Sequence, residues 1–278
     1  MNQDSYRALL DDLRAEGEEL LSTLFELDDP AWSLATPAVG WDIHDQVVHL
    51  AFFDQMTSLA LTRPEEFTAT AESVTAAGID WVDVISRERR ALPAPKVLDW
   101  FVKTRGAVIG ALVEVGPEAR RPWFGPSMSA ASSASARLME TWAHSQDIHD
   151  ALGLMRLPSQ RVRHVCHLGV LTRRFSYDNR GLVMPEVDVR VELVAPAGQV
   201  WTWGDEQSPA RIVGDAWDFG LVVTQRRSLA EVNVSATPGP AAEWLSIAQT
   251  FAGRPSDGPN SVVANPGGGP DSFIRTAS

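Results

Sequence analysis

The stretch "LMETWAHSQDIHDALG", residues 138–153, places Glu140, His144, Asp147, His149 and Asp150 in a segment that otherwise reads as a helix. Helical residues four apart stack one turn above another, so Glu140 and His144 project side by side. Such a carboxylate–imidazole pair suits a divalent transition metal. Asp147 falls on the same stripe, as does Arg137 one turn earlier. His149 comes nine residues after Glu140, about 180° around the helix at 100° per residue, so it faces the other way. Asp150 faces away with it.

A single Glu-x-x-x-His pair needs a third donor from another helix. The segment "GWDIHDQVVHLAFFDQ", residues 40–55, offers His49 among Val47, Val48, Leu50, Phe52 and Phe53. Bundle metal sites are built where inward-facing side chains of separate helices meet. The alternative for His49 is a core histidine with its hydrogen bond satisfied. His44, near the start of that helix, reads as solvated or capping.

Around these two segments the first two-thirds of the chain is helical. "SYRALLDDLRAEGEELLSTLFELDD" sets Leu9, Leu13, Leu20, Leu24 and Leu27 on one stripe, with Ser5 as the expected N-cap and Pro30 as the stop. A helix from Trp41 to about Thr62 follows, then a shorter one closed by Gly78. A long helix runs from Pro95 to Gly116, the ligand helix closes at Gly153, and another spans about Ser159 to Tyr177. Near residue 184 the pattern changes: "VDVRVELVA" alternates with period two, and strands "QVWTWG" and "AEVNVSA" are interleaved with helical "AWDFGLVVTQRR" and "GPAAEWLSIAQTFAG". The expected organisation is α+β: a helical domain over 1–183, an α+β domain over 184–253, and a Gly/Pro/Ser-rich tail over 254–278.

Composition narrows the function. The chain has 278 residues, 44% of them hydrophobic and 22% charged, as in soluble globular proteins. A net charge of −12 disfavours nucleic acid and anionic membranes, and the arginines form only short clusters such as Arg120–Arg121 and Arg173–Arg174. The N-terminus has no signal-peptide pattern and no run approaches a membrane span, so a cytoplasmic protein is expected. The single cysteine, Cys166, excludes a disulfide framework and reads as a small buried side chain.

The two donor segments resemble the DinB-like metal-binding superfamily and, within it, the mycothiol-dependent maleylpyruvate isomerase family. Trp41, Asp45, His49 and Leu50 resemble that family's Trp-x-x-x-Asp-x-x-x-His-Leu segment, and Glu140 and His144 its Glu-x-x-x-His helix. The blocks "RPWFGPSMSA", "GDAWDFGLVVTQRR" and "EWLSIAQTFAG" resemble an actinobacterial branch described chiefly as metal-binding. The likeness covers residues 1 to about 254. It implies a four-helix bundle holding one zinc, or another divalent metal, through His49, Glu140 and His144. It also implies a smaller sterol-carrier-like C-terminal α+β domain closing one side of the site. This chain departs from the family pattern at His149, where many relatives carry a small residue, and at Ser145, where glycine is common.

Three protein donors leave a position open, which is the mark of a catalytic zinc. The resemblance implies an external small thiol, mycothiol, as nucleophile, used to isomerise a cis-alkene acid or to be transferred to a small, anionic electrophile. Arg226 or Arg227 resembles the family's active-site arginine; the other reading is a cation at a helix C-terminus. Trp123, beside a Gly-Pro turn, is expected either to wall the pocket or to join the core. Asp147 is expected to support the ligands, because Glu140 and Asp147 lie about 10 Å apart along a straight helix. Two alternatives stand beside this reading. One is a specialised secondary-metabolism enzyme that keeps the metal without the thiol; the other is a non-catalytic metal-binding regulatory module. The partners expected are a small-molecule substrate and a small thiol.

Overall fold

A computed structural model describes residues 1–76, 78, 81–256 and 258. The chain divides into two compact units, Met1–Leu154 and a second beginning at Met155. The division falls at Met155 rather than at the change of pattern near 184. The helices between those points belong with the second unit, where α7 (Val162–Leu171) packs on α9 (Ala216–Val223) and α8 (Arg173–Asp178) on α10 (Pro240–Ile247). Apart from residues 254–256 and 258, the expected tail lies outside the described residues.

The first unit contains α1 (Gln3–Phe25), α2 (Ile43–Thr62), α3 (Pro64–Thr75), α4 (Trp81–Arg89), α5 (Ala94–Val115) and α6 (Ala130–Leu152). A two-residue ribbon, β1 (Arg120–Arg121) with β2 (Met128–Ser129), leads into α6. The four long helices pack on one another, α1 and α2 each touching α5 and α6. The cap of α1 is Asn2 rather than Ser5: the Asn2 side chain accepts from the Ser5 amide at 2.8 Å. Helix α6 opens on Ser129, which accepts from the Ser132 amide, and closes on Gly153 in the left-handed conformation at φ 66°.

Helix α2 is buried on nearly its whole circumference, with Ile43, Val47, Val48, Leu50, Ala51, Phe52 and Met56 all in the core. Its first turn is fixed by a capping box: Asp45 N–H donates to Asp42 Oδ1 at 2.9 Å, and Asp42 N–H to Asp45 Oδ2 at 3.3 Å. Arg90 then donates to Asp45 Oδ2 at 2.6 Å. Deeper along α2, fully buried Asp54 accepts from Arg105 Nε at 2.7 Å, and Arg105 also donates to Thr141 Oγ1 at 2.8 Å. This pair ties α2, α5 and α6 together beneath the donor residues.

In the second unit, β3 (Arg190–Val194), β4 (Val200–Trp203), β5 (Arg211–Asp215) and β6 (Val234–Ala236) form a sheet in the order β4-β3-β5-β6. The central β3–β5 pair is parallel, with Val191 opposite Ile212, and both outer pairs are antiparallel. The helix expected over Ser159–Tyr177 is broken at Thr172 into α7 and α8. Helix α7 crosses α9 at Gly169, where a Cβ would lie 2.8 Å from Val223. The architecture is α+β. No described helix is long and apolar enough to cross a membrane.

Candidate metal centre

Helices α2 and α6 bring three donors together, 91 residues apart in sequence. His49 Nε2 lies 3.3 Å from Glu140 Oε2, and His144 Nε2 lies 3.1 Å from the same oxygen. The two imidazole rings are 4.4 Å apart. One ligand atom from each of His49, Glu140 and His144 falls within 4.8 Å of the others. A tetrahedral zinc with bonds of about 2.0–2.1 Å needs donor separations of about 3.3–3.4 Å. The two nitrogen–oxygen separations lie close to that, and the N, N, O donor set is one zinc takes, so the residues fit a metal.

The electrostatics agree. Burial would push the Glu140 carboxyl up, but hydrogen bonding and charge from His144 and His49 outweigh it and hold the group well below the usual carboxylate range. An ionised carboxylate facing two imidazole nitrogens at this distance is stable only if protons or a cation sit between them.

Further rings and acceptors frame the donors. Trp41 stacks on His144 with centroids 6.0 Å apart and 13° between planes, and it tilts against His49 at 5.3 Å. Phe53 packs on the other side of His49 at 4.6 Å. The buried Arg137 guanidinium sits 5.4 Å over the Phe53 ring, with Nη1 3.9 Å from Asp54. Burial lowers its pKa, while Glu140 and Asp54 partly counter this. On His144, Nδ1 faces away from Glu140; it meets the Gln46 side-chain oxygen, with Asp147 Oδ2 at 3.9 Å. Asp147 is therefore near the outer nitrogen of His144 and outside the group formed by His49, Glu140 and His144.

The other residues singled out in the sequence lie elsewhere. His149 turns toward α1: Nδ1 is 2.7 Å from Ser145 O and Nε2 is 3.4 Å from Thr23 Oγ1. Asp150 accepts from Gln146 at 2.9 Å. Trp123 stacks on Phe67 at 5.7 Å and reaches Phe53 at 6.2 Å, so one ring separates it from His49. With Pro122 and Phe124 it lines a small cavity of about 230 Å³ beside α3. A second carboxylate–imidazole group, Asp42, His44 and Asp45, is accounted for by the α2 capping box, the Arg90 pair and a 2.9 Å contact from His44 Nε2 to Leu92 O. Cys166 is buried, its thiol donates to Ala216 O, and desolvation pushes its pKa up, so it stays protonated.

Arg226 and Arg227 follow Gln225, whose φ of 59° ends α9 and lets the Arg226 amide bond back to Leu221 O at 2.7 Å. Their guanidinium groups donate to Thr224 O and Arg226 O. Both belong to the second unit and are placed there by its own folding. Gln46 and Thr36 are functional candidates that composition and period do not reveal. Gln46 lies three residues before His49, on the same helical face, and that spacing is the one signal in the sequence that points to it.

Known proteins resemble this chain in sequence and in fold. A family model described as the mycothiol maleylpyruvate isomerase N-terminal domain matches residues 13–149, which include all three donors. Two proteins of Mycobacterium tuberculosis, from strains CDC 1551 / Oshkosh and ATCC 25618 / H37Rv, are 42% identical over 248 residues. The match covers 89% of this chain and 96% of theirs, and both are described as uncharacterized. Crystal structures of mycothiol-dependent maleylpyruvate isomerase, one of them a histidine-to-alanine mutant, superpose with a TM-score of 0.56 at 12% identity. The superposition covers 84% of this chain and 93% of that one, which establishes a common fold. The chain belongs to the mycothiol-dependent maleylpyruvate isomerase family.

Proposed function

We propose that this protein is a zinc-dependent enzyme that uses a low-molecular-weight thiol of the mycothiol type to isomerise, or add sulfur to, a small anionic electrophile. The observation that carries the reading is the convergence of His49, Glu140 and His144 on one point, with Asp147 outside the cluster. Three donors leave room for an exchangeable group. A zinc bound there would supply Lewis acidity, lowering the pKa of a thiol so that the thiolate is available at neutral pH.

The protein's part is to hold and shield. His49 and His144 present Nε2 lone pairs, and Glu140 offers one anionic oxygen, so the site carries a single negative charge to a dication. Trp41 and Phe53 exclude water from two sides of the imidazoles, which strengthens the local electrostatics. Arg226 and Arg227 are proposed, on the family resemblance, as the cations for a substrate carboxylate.

The test is elemental analysis of protein purified without chelator, followed by cobalt substitution. One metal per chain is expected, with a visible cobalt spectrum that changes when a small thiol is added. Full metal retention by a His49→Ala, His144→Ala double variant would refute the ligand assignment. A cobalt spectrum indifferent to thiol, with Asp147→Ala losing metal as severely as His144→Ala, would indicate a closed shell and a non-catalytic module.

A further inference from the structure

We propose that Gln46, oriented by Thr36, is a positioning residue that places the His144 ring proton on Nδ1 and so commits Nε2 to the metal. The inference rests on the metal-site reading above and deepens it.

A chain of hydrogen bonds leads to His144, and its direction is set at the far end. Thr36 Oγ1 lies 2.9 Å from Trp41 O and 3.5 Å from Ala38 O, both carbonyls that can only accept. The hydroxyl proton is therefore committed to a carbonyl, and the oxygen's lone pairs face Gln46. Gln46 is fully buried, and its amide nitrogen lies 2.8 Å from Thr36 Oγ1, so that nitrogen donates. With one end of the amide fixed as donor, the other end, Oε1, is an acceptor, and it points at His144 Nδ1. The Asp147 carboxylate also lies near Nδ1, at 3.9 Å, and is an acceptor when ionised. A nitrogen facing a carbonyl and a carboxylate must carry a proton. In the neutral ring that leaves Nε2 as the lone pair, and Nε2 is the atom beside Glu140 and His49.

Without a metal, a hydrogen bond from His144 Nε2 to Glu140 requires a second proton on the same ring, which makes it cationic. A divalent metal held there would take the Nε2 lone pair in place of that proton, with Nδ1–H left bonded to Gln46. His49 has no comparable device: its Nδ1 is buried with no hydrogen-bond partner among the described residues.

The test compares Gln46→Leu, which deletes the acceptor, with Gln46→Glu, which keeps one, and with Thr36→Val. Two readouts are used: zinc affinity by competition with a chromophoric chelator, and the ring N–H signals of zinc-loaded protein by nitrogen-15 NMR. In the unsubstituted protein His144 should show a protected Nδ1–H and a zinc-bound Nε2. Gln46→Leu should weaken zinc binding by about 10–100-fold, the usual cost of losing such a partner. Thr36→Val should weaken it less, and Gln46→Glu should restore most of the affinity.

Zinc bound through Nδ1 of His144 in the unsubstituted protein would overturn the proposal without needing a variant. So would a Gln46→Leu affinity within about twofold of the original, since an acceptor that orients a ligand contributes more than that. Equal losses in Gln46→Leu and Gln46→Glu would overturn it too, leaving Gln46 a packing role only. A protein that binds no zinc at all would instead overturn the metal-site reading itself, which separates the two failures.

Discussion

The two histidines of the donor cluster are held by different physics. His144 is set in polar surroundings: the Gln46 carbonyl and Asp147 carboxylate face its outer nitrogen, and Trp41 stacks on its plane. His49 is gripped by rings, with Trp41 at 5.3 Å and Phe53 at 4.6 Å, and its outer nitrogen is buried without a hydrogen bond among the described residues. Hydrogen bonds fix both the direction of a ring and the position of its proton; ring packing fixes only the direction. The two sides should therefore fail in different ways when altered.

The coarsest way to break the comparison is to remove each ring. His49→Ala and His144→Ala should each abolish stoichiometric metal, measured by elemental analysis after dialysis. Full occupancy in either would show that the cluster is not symmetric in function. Next is the support beneath the His49 side. Asp54→Ala would leave Arg105 buried without its counter-charge and Arg137 with Glu140 alone, and should cost about 3–5 kcal/mol in urea unfolding. A cost under about 1 kcal/mol would mean the pair is repaired by water.

Phe53→Leu should be milder, about 1–2 kcal/mol from lost ring contacts. Its loss of zinc affinity should stay well below that of Gln46→Leu, and a reversal of that order would contradict the division of labour. Removing the α2 cap with Asp42→Ala should cost about 1 kcal/mol, seen as a lowered melting temperature with zinc affinity preserved. His149→Leu should leave zinc affinity unchanged, because its nitrogens are engaged by Ser145 and Thr23 on the far face.

That last expectation follows from spacing alone. The four-residue step from Glu140 to His144 and the nine-residue step to His149 are enough to sort the three side chains onto opposite faces of α6. His49 is a candidate on the sequence alone, but a histidine in an apolar run is also read as a core residue, and only the resemblance chooses between the two. Gln46 is silent in the sequence because a buried neutral amide leaves no trace in charge or periodicity; its meaning comes from a hydrogen bond to a residue 98 positions away.

The fold shows the same divide. Helices with long apolar stripes are plain from their spacing, whereas α4, nine residues rich in charge, carries too short a pattern to be read. Strand β5, "RIVGD", gives no local signal because its main partner is the parallel β3, and parallel pairing depends on distant chain rather than on local alternation. The run from Ser159 to Tyr177 keeps helical spacing through Thr172, so the break there is invisible in the sequence. The unit boundary lies at Met155 for a related reason: α7 and α8 are helices like those before them, and only packing assigns them to the sheet that follows.

The near-complete burial of α2 has a consequence for synthesis on the ribosome. A helix buried on almost every side gains its stability from neighbours, here α5 and α6. His49 leaves the exit tunnel early, but its partners Glu140 and His144 follow 91 and 95 residues later. At roughly 5–20 residues per second, several seconds pass in which the first donor is exposed without its companions. During that interval the nascent chain cannot assemble the three-donor cluster, and α2 lacks the neighbours that bury it. The cluster of His49, Glu140 and His144 is complete only when α6 emerges and closes over α2, so it forms together with the packing that completes the first unit.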